Sequence, residues 1–187
     1  MTNETTNETK STLKVKKILT DWILPILIAV IVAYLIRKFL IFQIHVPSGS
    51  MLPTLQEQEK FMTERIYHPE KLKRGDIVVF DSKELDETMV KRLIGLPNDH
   101  IEIKDGVVSV NGEVLVEDYV KYPSDSKTNK KTDGVYDVPE GKYFFLGDNR
   151  NNSLDSRYWK NHFIDESDIQ GKVLFRTFPL KKFGSVK

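Results

Sequence analysis

IEIKDGVVSVNGEVLV, residues 101–116, decides the fold class. Three apolar-polar runs, IEIK, VVSV and EVLV, are separated by Asp105-Gly106 and Asn111-Gly112. Side chains on a strand alternate between faces, so each run presents one apolar edge to a core. Asp-Gly and Asn-Gly tolerate positive φ at both central positions of a two-residue hairpin. The stretch therefore predicts a three-stranded antiparallel meander. Further strands are expected at 76–80, 88–94, 142–146 and 172–177, where β-branched and aromatic residues are bounded by turn formers. Residues 121–134, KYPSDSKTNKKTDG, read as a polar surface loop. The expectation is an all-β domain of mixed, barrel-like sheets with few helices.

Upstream the language changes. From Ile23 to Ile36 every residue is apolar except Pro25 and Tyr34, and with Trp22 the uncharged run is 15 residues. That is roughly 22 Å of helix against a hydrocarbon core of ~30 Å, so Arg37 and Lys38 must snorkel, with residues 39–42 completing the span or lying in the far interface. A removable leader would place small residues against the run, but Arg37, Lys38, Phe39 and Leu40 stand there. The segment is expected to stay as an anchor over residues 21–42. Residues 1–20 form a tail that repeats TNET and carries Lys10, Lys14, Lys16 and Lys17, whereas no basic residue falls between Lys38 and Lys60. This asymmetry orients the tail to the cytoplasm and residues 43–187 to the outside, against the bilayer that holds the anchor. The low-complexity start, 1–12, is expected to be disordered.

Composition narrows the chemistry. A chain of 187 residues with net charge +1 presents no strong field for nucleic acid. It has no cysteine, which removes disulfides, thiol nucleophiles and thiolate metal sites. His45, His68, His100 and His162 are scattered without ligand spacing, so no metal and no other cofactor is expected.

Just beyond the apolar run stands PSGSMLPTL, residues 47–55. Pro47 and Pro53 stiffen a short turn that holds Ser48, Gly49 and Ser50, a setting that can fix one hydroxyl in a defined pose. The same nine residues also read as a plain linker loop. A second stretch, MVKRLIGLPND (89–99), puts two basic residues on a strand. Lys91 shares a face with Met89 and Leu93, and Arg92 shares one with Val90 and Ile94, so periodicity does not choose between them. A serine becomes a good nucleophile when a base takes its proton, and a lysine desolvated enough to be neutral is such a base. The third stretch, LGDNRNNSLDSR (146–157), is a dense polar turn in which Asp155 and Arg157 are spaced to form a charge-assisted bridge.

Taken in order after a single N-terminal anchor, PSGSMLPTL, RGDIVVF (74–80), KRLIGLPND and GDNRNNSLDSR resemble the motifs of type I signal peptidases, most closely the short Gram-positive form. The resemblance implies a membrane-bound serine endopeptidase with a Ser/Lys dyad, which removes signal peptides from exported preproteins. Carried over by motif position, Ser50 is the nucleophile and Lys91 the general base. The Ser48 hydroxyl and the Ser50 N–H form the oxyanion hole, Ser153 orients Lys91, and Asp148, Asp155 and Arg157 support the site. Asn98 departs from the Pro-Gly-Asp of the family, but asparagine tolerates positive φ and preserves the turn.

An extended substrate is expected beside strand edges at Val46, Pro47 and Val90, with shallow apolar pockets that admit only small side chains of Ala-x-Ala type. A membrane-tethered β-domain that binds an extended peptide without chemistry is the alternative, but it does not require Ser50, Lys91 and the GDNR loop together. A soluble self-cleaving repressor also uses a Ser/Lys pair, yet it carries a DNA-binding headpiece where this chain has a polar tail and an apolar span.

Overall fold

A computed structural model describes residue 17 and residues 19–121 and 132–186. The expected disordered start, most of the 1–20 tail and the centre of the 121–134 loop lie outside the described residues. The chain divides into two units, one ending at Ile41 and one from Phe42 onward.

The first unit is helical. A π-helical turn, Leu19–Ile23, runs into α1, Leu24–Phe39, with Pro25 in the first turn, where its missing N–H costs nothing. Together Leu19–Phe39 make 21 residues, none of them buried, within which an 18-residue window reaches a mean hydropathy of 2.3, which is long and apolar enough to cross a membrane. Asp21, Arg37 and Lys38 lie within the helix, so it is longer than the uncharged run by which the sequence measured it. The Lys38 ammonium lies 5.8 Å from the Tyr34 ring centroid and 5.4 Å from the Phe39 ring centroid. Of residues 39–42 only Phe39 is helical; a strand starts at Ile41, and Phe42 packs on a strand core.

The second unit is mostly β. Its strands are β1 (Ile41–His45), β2 (Lys60–Arg65), β3 (Ile77–Ser82), β4 (Glu87–Gly95), β5 (His100–Lys104), β6 (Val107–Val110), β7 (Glu113–Val114), β8 (Gly134–Asp137), β9 (Lys142–Leu146), β10 (Ile164–Asp165), β11 (Ile169–Phe178) and β12 (Gly184–Ser185). One sheet runs β1-β2-β11-β3-β4-β9-β10, with β12 on β11, and the other runs β7-β6-β5-β8.

The smaller sheet contains the predicted meander. Asp105, Gly106, Asn111 and Gly112 all have positive φ, 50°, 78°, 53° and 84°, the I′ geometry that matches strand twist. Burial along β5 alternates strictly, with Ile101 and Ile103 inward. The last predicted strand is shorter than expected, although Leu115 N–H still reaches the Val108 carbonyl at 2.8 Å.

In the larger sheet the apolar runs are continuous because both faces are covered. Val78, Phe80, Leu93, Tyr143 and Phe145 join one core cluster with Trp159 and Ile164. Ile77 and Val79 join another with Val46, Met51, Leu55 and Phe61. Ile94, Phe144 and Leu146 pack on the meander with Ile101, Val108 and Tyr136. Strands buried on both sides read as unbroken VVF and YFFL rather than as alternation. In β4 this burial includes two cations, Lys91 and Arg92, at 3% and 2% exposure. Asn98 adopts φ 68°, and its N–H donates to the Val138 carbonyl at 2.9 Å, so the turn persists without glycine. Asp99 ties that turn to the RGD stretch by accepting from Arg74 at 2.9 Å and from Leu96 N–H at 2.6 Å.

Candidate active site

Ser50 sits in a single 3₁₀ turn, Gly49–Met51, that follows β1. Its neighbour Met51 and nearby Leu55 are fully buried in the core, which pins the turn from below. Gly49 does not have positive φ; its smallness is what matters, since a Cβ there would meet Leu52 Cδ1 at 3.0 Å and Glu57 Oε1 at 3.2 Å. Ser50 is 7% exposed, and its carbonyl accepts from Asn149 N–H at 3.0 Å, while Asn149 Nδ2 donates to the Gly49 carbonyl at 3.1 Å. Two segments about a hundred residues apart are thereby fixed edge to edge.

Lys91 leaves the middle of β4, opposite Val78 in the ladder, and its Nζ lies 2.6 Å from Ser50 Oγ. Burial lowers the Lys91 pKa from 10.5 to about 8, against the opposing pull of Asp155; Arg157 lowers it further and Asp148 raises it. A lysine of ordinary pKa is well under ~1% neutral at pH 8, whereas one titrating there is about half neutral. The hydroxyl and the amine are therefore in contact, and near pH 8 a large share of the amine is free to accept a proton. Ser48 Oγ is 3.4 Å from Ser50 Oγ on the exposed side.

Behind this pair the polar turn after β9 is packed solid. The Asp155 carboxylate receives Arg157 Nε at 2.8 Å, Arg157 Nη2 at 2.9 Å and Gly147 N–H at 3.0 Å. Asp148 is clasped by Arg92 through Nε at 2.7 Å and Nη2 at 2.6 Å, and Thr54 donates to it at 2.5 Å. Phe145 N–H donates to Ser156 Oγ at 2.9 Å, so the serine bracketed by Asp155 and Arg157 is tied back to β9. The predicted bridge between Asp155 and Arg157 is thus present, and both side chains are buried. Ser153 is buried as well, but its Oγ has no hydrogen-bond partner and does not bond Lys91. It packs against Gly147, where an added Cβ would strike Ser153 Oγ and come within 2.6 Å of the Ser50 carbonyl oxygen.

A cleft of about 330 Å³ opens in front of Ser50 and Lys91, with Pro47, Ser48, Ile44, Val79, Met89 and Val90 among its lining. Pro47 and Val90 both line this cleft. Val46 does not: it is 1% exposed, its side chain packs with Met51, Leu55 and Phe61, and its N–H and carbonyl are engaged by Glu59 and Gln58. Val46 follows β1 directly and its side chain points into the core while Ile44, Pro47 and Ser48 on either side line the cleft, so Val46 backs the wall instead of lining it. Among the described residues no group of three or more histidines and carboxylates is placed to hold a metal ion.

Sequence reasoning did not find the roles of Arg92, Thr54, Asn149, Arg150, Glu117 and Tyr119, all of which bond or stack within this network. Their partners are remote in sequence, and a polar residue shows no periodicity that marks it as buried. The one available signal was the pair Lys91-Arg92 flanked by Met89, Val90, Leu93 and Ile94, apolar on both faces of the strand.

Residues 19–178 match the family described as signal peptidase, peptidase S26. The signal peptidase I of Bacillus licheniformis is 40% identical over 184 residues, which cover 94% of this chain and 96% of that one. The signal peptidase IB of Staphylococcus aureus strain N315 is 36% identical over 182 residues, covering 90% and 94%. A crystal structure of a signal peptidase I from Enterococcus faecalis V583 is 37% identical, with a TM-score of 0.46 over 55% of this chain and 96% of that one. With the family match running from the apolar helix through β11, this chain belongs to the signal peptidase family, peptidase S26, and is a serine endopeptidase.

Proposed function

We propose that the chain is a membrane-anchored endopeptidase that removes signal peptides from exported preproteins by a Ser50/Lys91 dyad. The observation that carries the reading is the 2.6 Å approach of Lys91 Nζ to Ser50 Oγ within a buried site. As the hydroxyl oxygen attacks the scissile carbonyl, its proton passes to the neutral amine. The tetrahedral oxyanion is stabilised by the Ser48 hydroxyl and the Ser50 N–H. Its collapse breaks the C–N bond; the Lys91 ammonium gives its proton to the departing amine and leaves an ester on Ser50. A water then gives its proton to Lys91 and attacks the ester; the Lys91 ammonium returns that proton to Ser50 Oγ as the ester C–O bond breaks, which releases the signal peptide with a C-terminal carboxyl group and restores the dyad. Ser153, whose buried hydroxyl lacks a partner, accepts a bond from the transient ammonium and holds it in place. Asp148, Asp155 and Arg157 keep the turn beneath it rigid.

The cleft presents the apolar side chains of Ile44, Val79, Met89 and Val90 beside the dyad, which suits small apolar side chains next to the cut, as in Ala-x-Ala. Residues 21–42 anchor the enzyme, residues 1–20 face the cytoplasm, and residues 43–187 work outside, beside the bilayer that holds the substrate's own apolar segment. No cofactor takes part, and the partners are signal-peptide-bearing preproteins and lipid. A domain that only bound peptides would have no use for a desolvated amine against a serine. Purified full chain should cut a preprotein at its Ala-x-Ala site, and Ser50→Ala should not; cleavage by Ser50→Ala at the wild-type rate would remove the proposal.

A further inference from the structure

Residues 116–120 leave the meander after β7 and turn back, with Val120 N–H donating to the Glu117 carbonyl at 3.0 Å. Two of their side chains reach the catalytic region, Glu117 to the turn after β9 and Tyr119 to Arg92 on β4. Glu117 takes both terminal nitrogens of Arg150, at 2.9 and 2.5 Å, and accepts the Tyr119 hydroxyl at 2.7 Å. The Tyr119 ring lies against the Arg92 guanidinium at 3.8 Å. Arg150 in turn donates to the Gly147 carbonyl at 3.0 Å and accepts from Arg157 at 2.9 Å, and Arg92 grips Asp148. Three guanidinium groups, of Arg92, Arg150 and Arg157, thus meet three carboxylates, of Asp148, Asp155 and Glu117, and Glu117 supplies the charge that balances the set.

We infer that Glu117 and Tyr119 are positioning residues for the Ser50–Lys91 pair. They hold Arg150 by the ion pair and Arg92 by the ring contact. Through these they hold the turn 147–150, whose Asn149 N–H carries the Ser50 carbonyl. Neither residue touches the cleft, so their effect falls on the alignment of hydroxyl and amine, not on substrate binding. A bidentate, nearly buried ion pair is the geometry that fixes a loop rather than merely neutralising it. Without the Glu117 charge Arg150, 3% exposed, has no counter-ion of its own and turns toward the carboxylates that Arg157 and Arg92 already use.

The inference rests on the Ser50/Lys91 reading. The test is steady-state cleavage of an Ala-x-Ala preprotein by full-length protein in detergent, for wild type, Ser50→Ala, Glu117→Gln, Tyr119→Ala and Tyr119→Phe, with circular dichroism melts of each. We expect Glu117→Gln and Tyr119→Ala to stay folded and lose about 10- to 100-fold in kcat with KM within about threefold, since small misplacements of reacting groups cost that much. Tyr119→Phe, which keeps the ring on Arg92, should retain at least about a third of the wild-type kcat, as ring stacking without the hydroxyl preserves most of the contact. Wild-type kcat in folded Glu117→Gln and Tyr119→Ala overturns the inference, and so does a loss confined to KM. Unfolding of both variants also overturns it, because the segment would then be a stability element. Cleavage by Ser50→Ala would instead sink the dyad reading on which the inference stands.

Discussion

Arg92 and Asp148 face each other through two parallel hydrogen bonds, with side chains 2% and 0% exposed. Arg92 follows Lys91 on β4, and Asp148 follows Gly147 in the turn after β9, so this pair bolts the strand of the amine to the loop beneath the serine. Breaking a buried pair leaves one charge uncompensated. Asp148→Ala should therefore lower stability by about 3–5 kcal/mol, whereas Arg92→Met with Asp148→Leu should cost less than that single change. Urea unfolding of both variants measures the difference; equal losses would show that the pair is not coupled.

Gly147 is a steric keystone. A methyl there would strike Ser153 Oγ and sit 2.6 Å from the Ser50 carbonyl oxygen, a backbone atom that cannot swing away. Gly147→Ala should cost about 1–3 kcal/mol in stability, as overpacking does. It should also lower kcat at least tenfold. Thermal melts and single-turnover cleavage check both, and a fully active Gly147→Ala would mean the serine is not seated on this turn.

A chain beginning at Gln43 omits the helix but keeps every residue of the site. It should cut a short soluble Ala-x-Ala peptide at close to the full chain's rate. On a preprotein in lipid vesicles it should be at least tenfold slower, because tethering raises effective concentration. Comparable rates on the vesicle substrate would make the helix dispensable for catalysis.

The depressed pKa of Lys91 also sets a pH dependence of stability. Its folded value of about 8 lies below its ordinary 10.5, so between these limits the unfolded chain binds more protons than the folded one. Stability attributable to this site then rises with pH through that window, and the penalty is complete below about pH 8. Lys91→Met removes an amine that burial disfavours and should raise stability near pH 7 by on the order of 1–3 kcal/mol, with the gain fading toward pH 10. Denaturant titrations at pH 7 and pH 10 test this; a destabilised Lys91→Met at pH 7 would contradict it.

Much of this was written locally. Asp105-Gly106 and Asn111-Gly112 announced their hairpins because turn chemistry is a property of two residues. Ser50 and Lys91, singled out through contiguous motifs that resemble a family, lie 2.6 Å apart through Nζ and Oγ. What stayed hidden depends on distant neighbours. The alternation rule could not tell Lys91 from Arg92, because β4 is covered on both faces and each cation has its own buried partner, Ser50 for one and Asp148 for the other. Val46 reads as a cleft residue from its place beside Pro47, yet Glu59 and Gln58 draw its backbone into the core. The two-residue strands β10 and β12 exist only through pairing with β9 and β11.

The central claim is that a neutral Lys91 takes the Ser50 proton, and the rate of preprotein cleavage against pH tests it most directly. Wild type should show an acid limb with a midpoint near pH 8, where Lys91 loses its proton. Lys91→Met, which has no amine, and Lys91→Arg, whose guanidinium stays protonated, should both be folded by circular dichroism and at least about a thousandfold slower at every pH. A folded Lys91→Met that cleaves at near the wild-type rate would place the base elsewhere and contradict the account.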